Sequence, residues 1–119
     1  ESPHKMTKAN DLSRLEDVAQ LMLDHRLGRL HNAATELDRS RMQLASINAA
    51  ARPSDELEPI TAERVGMAYD RWADQRRSEL NLVIARQTAA WIERRGEAQT
   101  AFGRVQALQG LAARLKQQR

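Results

Sequence analysis

Pro53 and Pro59 lie six residues apart in Arg52-Pro-Ser-Asp-Glu-Leu-Glu-Pro59, and the chain's one remaining proline is Pro3. Proline lacks a backbone donor, clashes with the preceding turn, and pushes the residue before it out of the helical region. A pair this close marks one break. The runs on either side are rich in Ala, Leu, Arg, Glu and Gln, with neither proline nor turn cluster. The chain therefore reads as two long helices and one reversal: helix 1 over about 10–51, a loop at 52–60, and helix 2 over about 61–117.

The apolar residues say how thick such a fold can be. Ala and Leu dominate, and the only aromatic side chains are Tyr69, Trp72, Trp91 and Phe102. A core of ordinary thickness draws on more large side chains than this, whereas a seam between two helices can be built from Ala and Leu. High Ala, Glu, Leu and Arg with a helical period is the coiled-coil signature. The expected fold is all-α, an antiparallel two-helix coiled-coil hairpin with the second helix longer. Residues 1–9 read as a disordered tail, of which Glu1 to Lys5 look like a non-native remnant ahead of Met6. Cysteine is absent, which removes disulfides and thiolate chemistry and suits a cytoplasmic protein. The longest apolar stretch, Leu82-Val-Ile-Ala85, falls far short of the roughly 20 residues of a membrane span. No charged-then-apolar leader is expected.

Helix 1 has cap candidates at Asn10, Asp11 and Ser13, the last in a Ser-x-x-Glu box. Its apolar stripe runs Leu12, Leu15, Ala19, Leu23, Leu27, Leu30, Ala34 and Leu37, irregular at first and then settling toward sevens. That register puts Arg41 in the seam. The best series in helix 2 is Ile84, Trp91, Ala98, Val105 and Ala112. If the helices meet directly at the loop, facing residue numbers add to about 110, and Leu12 lies across from Ala98. Helix 2 then overhangs by about fifteen to twenty residues from Gln99 onward. Phe102, Arg104, Val105, Leu108, Leu111 and Leu115 on that overhang are the expected partner-binding residues, because an apolar stripe needs cover. A second copy of the chain or the N-terminal tail would be the other ways to cover it.

Three further features bear on function. Gly96, Gly103 and Gly110 are seven apart. They are either chance in a frayed segment or a face where another backbone packs closely. Tyr69 and Trp72, three apart, share a face near the loop. Trp72 reads first as core, with an exposed recognition pair as the sharper alternative, while Trp91 reads as core. Catalytic, cofactor and metal sites are all expected to be absent. His4, His25 and His31 form no ligand set, Asp70 and Asp74 sit among arginines, and no phosphate loop or nucleophile motif occurs. Residues 1–59 carry eight basic and ten acidic groups, and residues 60–119 eleven and six. Such mixed charge reads as solvated helix faces and argues against nucleic acid. Only the stretch from Gln99, with Arg104, Arg114, Lys116 and Arg119 and no acid, leaves nucleic-acid or anionic-membrane binding as a third option.

The Leu12-Ser-Arg-Leu15 start, the single break, and the longer helix with Tyr69-Asp-Arg-Trp72 and the stretch from Trp91 to Leu108 resemble the FliJ-like stalk proteins of flagellar and type III secretion export ATPases. The likeness covers most of residues 10–115. It implies a cytoplasmic, non-enzymatic coiled-coil stalk, peripheral at the inner membrane through a protein partner. In that family the terminal end of the hairpin enters the export ATPase hexamer, the loop half meets the export gate protein, and export chaperones bind. Here the overhang from Gln99 would face the ring, and Tyr69 and Trp72 the gate. The alternative is a generic helical-hairpin adaptor or homodimerising scaffold.

Overall fold

The structure, a computed structural model, describes residues 3–52 and 57–118. Nearly all of them belong to two helices: α1, Pro3–Ala49, of 47 residues, and α2, Pro59–Gln117, of 59. There is no strand among the described residues. The fold is the expected all-α two-helix hairpin with the longer helix second. It divides into two compact units, Glu1–Ala33 with Trp91–Arg119, and Ala34–Ala90.

The helix ends differ from expectation. α1 starts at Pro3, so residues 3–9 are helical and not a disordered tail. Proline suits a first helical turn, where its missing N–H would have no intrahelical acceptor. The cap candidates at Asn10 to Ser13 are passed over because Leu12 lies beside Leu115 of α2, which rewards continuing the helix upstream. α1 closes with the Ala50 N–H donating to the Ser46 carbonyl at 3.0 Å. α2 opens on Pro59 itself, two residues before Thr61, and the Ala62 N–H donates to the Glu58 carbonyl at 2.7 Å. The linker is thus 50–58. Pro53 to Glu56 lie outside the described residues.

Both helices carry a stricter heptad than their apolar residues suggest. In α1 a partly or fully buried series runs 12, 16, 19, 23, 26, 30, 33, 37, 40, 44 and 47, alternating steps of four and three without a stutter. Arg26, Ala33 and Ser40 hold the positions that apolarity alone assigned to Leu27, Ala34 and Arg41. Leu27 and Arg41 are exposed, Ala34 sits at the seam's edge, and Ser40 is buried. In α2 the series 73, 77, 80, 84, 87, 91, 94, 98, 101, 105, 108, 112 and 115 is equally regular, with Arg77, Gln87 and Arg94 as its polar members. Ile84, Trp91, Ala98, Val105 and Ala112 all face inward, as expected, with Ile84, Trp91 and Ala112 only partly covered.

The register differs most. In the first unit, Ala19 and Leu23 pack with Ala101 and Val105. Arg26 bonds Glu97 there, while in the second unit Arg76 bonds Gln43 and Arg52 bonds Asp70. Those three pairs of residue numbers add to 123, 119 and 122, not to about 110. The expected overhang from Gln99 does not exist, because Leu12 and Leu15 reach Leu111 and Leu115. The surplus of α2 lies instead at the loop end. Ile47 packs on Ala73 and Leu80, so the residues from Pro59 to about Asp70 run past the end of α1. The linker is long enough for this: about nine extended residues span about 30 Å, sufficient to return along those turns. Gly66 lets Arg52 lie close, since a Cβ there would sit 2.6 Å from the Arg52 Cζ.

Candidate partner-binding site

Burial sorts the expected contact residues into two groups. Val105 is buried in the Ala19–Leu23–Ala101 cluster, and Leu108 packs against it. Both hold the hairpin together; the buried Val105 is withdrawn from any partner, a direct result of the changed register, whereas Leu108 is only half-buried. Phe102, Arg104 and Leu111 are exposed, while Leu115 is half-buried. At the other unit, Trp72 is 54% exposed and not core. Tyr69 is half-buried against Ile47, Ala73 and Leu80, with its ring centroid 5.7 Å from that of Trp72. Trp91 is half-buried, and the Arg95 guanidinium lies 5.5 Å above its ring. Among the described residues no backbone of another element approaches Gly96, Gly103 or Gly110, because a Cβ at each would meet nothing within 4 Å. The seam runs through Ala98, Ala101 and Val105, which turns the glycine stripe outward.

A groove lies between the helices of the first unit. Its terminal part, about 500 Å³, is lined by Lys8, Asp11, Leu12, Leu15, Leu111, Arg114, Leu115 and Gln118. Leu15 also lines the next part, about 330 Å³, with Val18, Met22, Arg104, Ala107 and Leu108. Met22 and Arg104 continue into a third, with Arg26, Gly96, Glu97 and Thr100. The α1 wall therefore steps through 8, 11, 15, 18 and 22, ending against the seam member Arg26, and the α2 wall through 100, 104, 107, 111 and 114. Each is a second heptad stripe beside the seam. Val18 and Met22 were not singled out from sequence. The signal was the three-then-four spacing of Leu15, Val18 and Met22, hidden by assuming a single stripe per helix.

At the inner end of the groove Glu97 gathers three arginines: Arg94 at 3.0 Å, Arg26 at 3.3 Å and Arg29 at 3.8 Å. Desolvation pushes the Glu97 pKa up, but the Arg94 hydrogen bond and the charges of Arg94, Arg26 and Arg29 together outweigh it and hold the carboxyl below its ordinary value. Among the described residues no three His, Cys, Asp or Glu side chains cluster as metal ligands, and no helix is long and apolar enough to cross a membrane.

Comparison with known protein families, curated proteins and solved structures gives no match.

Proposed function

We propose that the chain is a non-catalytic helical-hairpin adaptor that works by docking other proteins along its sides. One observation carries this. The buried core is small and rich in alanine, yet Leu15, Val18, Met22 and Leu111 are exposed together on one groove, with Phe102 and Trp72 exposed elsewhere. Single exposed apolar side chains are ordinary, whereas an aligned set marks an interaction surface. Affinity purification of the tagged chain, beside a Leu15→Ser/Met22→Ser variant and a Trp72→Ala variant, tests it. Partners lost from a variant whose melting temperature is unchanged support the role. Identical recovery from all three, or no specific partner, counts against it.

The export-ATPase stalk is the more specific form of this role, with a cytoplasmic site at the inner membrane and an ATPase hexamer, gate protein and chaperones as partners. Its support is the long antiparallel hairpin and the resemblance over residues 10–115. It no longer has a ring-facing overhang behind it, and the buried Val105 drops out as a contact. Phe102 and Leu111 for the ring, and Trp72 for the gate, are the side chains left to test. A Phe102→Ala/Leu111→Ala variant that still binds the ATPase normally would remove the ring assignment. A homodimeric scaffold is separated by light scattering.

A further inference from the structure

We propose that the groove of the first unit takes one amphipathic helix with acidic flanks, supplied by a protein partner. The inference rests on the adaptor role and names the kind of partner for this one surface. From Gly96 to Leu115 the α2 wall is roughly 28 Å long, the length of a helix of about 19 residues. Both walls present side chains at alternating steps of three and four. That spacing is what a third helix needs to seat its own knobs, the helix-in-groove mode of recognition. Leu15, Val18 and Met22 on one wall and Ala107 and Leu111 on the other form an apolar floor.

The rim decides the charge of the occupant. Lys8, Arg104 and Arg114 stand along the groove, and no ion pair joins any of them to another described residue. Arg26 is already engaged by Glu97. Asp11 is the one acid among the described rim residues that the arginines have not taken up. Flanking charges beside a helical seam set partner choice and orientation. Three free cations against one acid call for glutamates or aspartates at the edges of the incoming helix. A second copy of this chain fits poorly. Two-fold pairing is self-complementary, so it would bring Arg104 and Arg114 of both copies into the same seam with only Asp11 to offset them.

The test uses the full chain and two labelled synthetic peptides of about 21 residues. They share a Leu/Ala heptad core, one flanked by Glu and the other by Lys, and each carries a central photocrosslinker. Anisotropy should show the Glu peptide binding about ten-fold tighter at low salt, with the gap closing as salt screens the rim. Arg104→Glu with Arg114→Glu should reverse the preference. Leu15→Ser with Met22→Ser should weaken both peptides while the circular dichroism melt falls by only a few degrees, because about half of each side chain is already exposed. Crosslinks should fall on residues 11–22 and 104–114. Equal affinities, a preference untouched by the charge reversal, crosslinks elsewhere, or a dimer that buries Val18 each overturn the proposal. If neither peptide binds the groove while partners are still recovered through Trp72, the adaptor role stands and this inference alone falls. If the Glu peptide binds as described but no partner is ever recovered, the groove's preference stands and the adaptor role falls.

Discussion

Replacing Gly96, Gly103 and Gly110 together by alanine should stabilise the hairpin markedly. All three lie inside α2, where glycine costs about 1 kcal/mol relative to alanine because its backbone loses more freedom on folding. A Cβ added at any of them meets nothing within 4 Å, so no clash opposes the gain. The sum is about 2–3 kcal/mol, nearer the lower figure because the last turns of a helix fray. For a chain of this size about 1 kcal/mol moves the melting temperature by roughly 4 °C, giving an expected rise of about 8–12 °C. Gly66 supplies the contrast. Its added Cβ would come within 2.6 Å of the Arg52 Cζ and push that guanidinium from Asp70. The gain in helix propensity is then offset by disturbing an exposed ion pair and the side chain that makes it. Circular dichroism melts of the triple variant, its three singles and Gly66→Ala read the pattern. Three singles that rise and a Gly66→Ala that barely moves support the outward glycine stripe. A triple variant that melts no higher than the parent would mean that something packs on that face, and would refute the reasoning.

Three other perturbations follow from the same geometry. The chain has no cysteine, so engineered pairs report register cleanly: Ala19→Cys with Val105→Cys should crosslink through a short bifunctional maleimide. Leu12→Cys with Ala98→Cys should not, being offset by roughly 20 Å along the helices. Leu80, at 2% exposure, is the largest fully buried side chain among the described residues, and Leu80→Ala should cost about 2–4 kcal/mol in urea unfolding. Glu97 has a folded pKa below its unfolded one, so its stabilisation is present above the ordinary carboxylate pKa and lost as pH falls below that and through the lower folded value. Glu97→Gln should therefore lower the melting temperature at neutral pH, with the difference from the parent shrinking in acid.

The fold was legible because proline spacing and composition act locally. A proline pair breaks a helix whatever surrounds it, and an Ala/Leu chain with few aromatics has no means of building a thick core. Burial along Ile84, Trp91, Ala98, Val105 and Ala112 was legible for the same reason, as a repeat within one helix. Register was not, because it depends on what the other helix offers. Assuming a tight loop placed Leu12 opposite Ala98, and from that single step came the expected overhang and the role given to Val105. The misassigned seam positions have a related cause. Leu27 is more apolar than Arg26, and ranking by apolarity chooses it. The guanidinium of Arg26 nonetheless belongs on the seam's edge, because Glu97 waits across it at 3.3 Å.

The polar seam members explain how so plain a sequence selects one alignment. Ala and Leu at seam positions would pack almost as well after a slip of seven residues, since one heptad resembles the next. A slip is costly only where a polar group would lose its partner. Glu97 meets Arg26 and Arg29 across the first unit, and in the second Arg77 donates to Asn48 at 2.8 Å and Arg76 to Gln43 at 3.2 Å. Moving α2 by one heptad would replace Glu97 opposite Arg26 by Ala90 in one direction and by Arg104 in the other. The first leaves the guanidinium unpaired, the second sets like charges together, and either strands the pairs of the second unit as well. Each such bond, exposed or half-buried, is worth little for stability, yet together they separate the observed register from its neighbours. The same logic governs the groove beside the seam. Its apolar floor would accept many helices, and the uncompensated charges of Lys8, Arg104 and Arg114 are what discriminate among them.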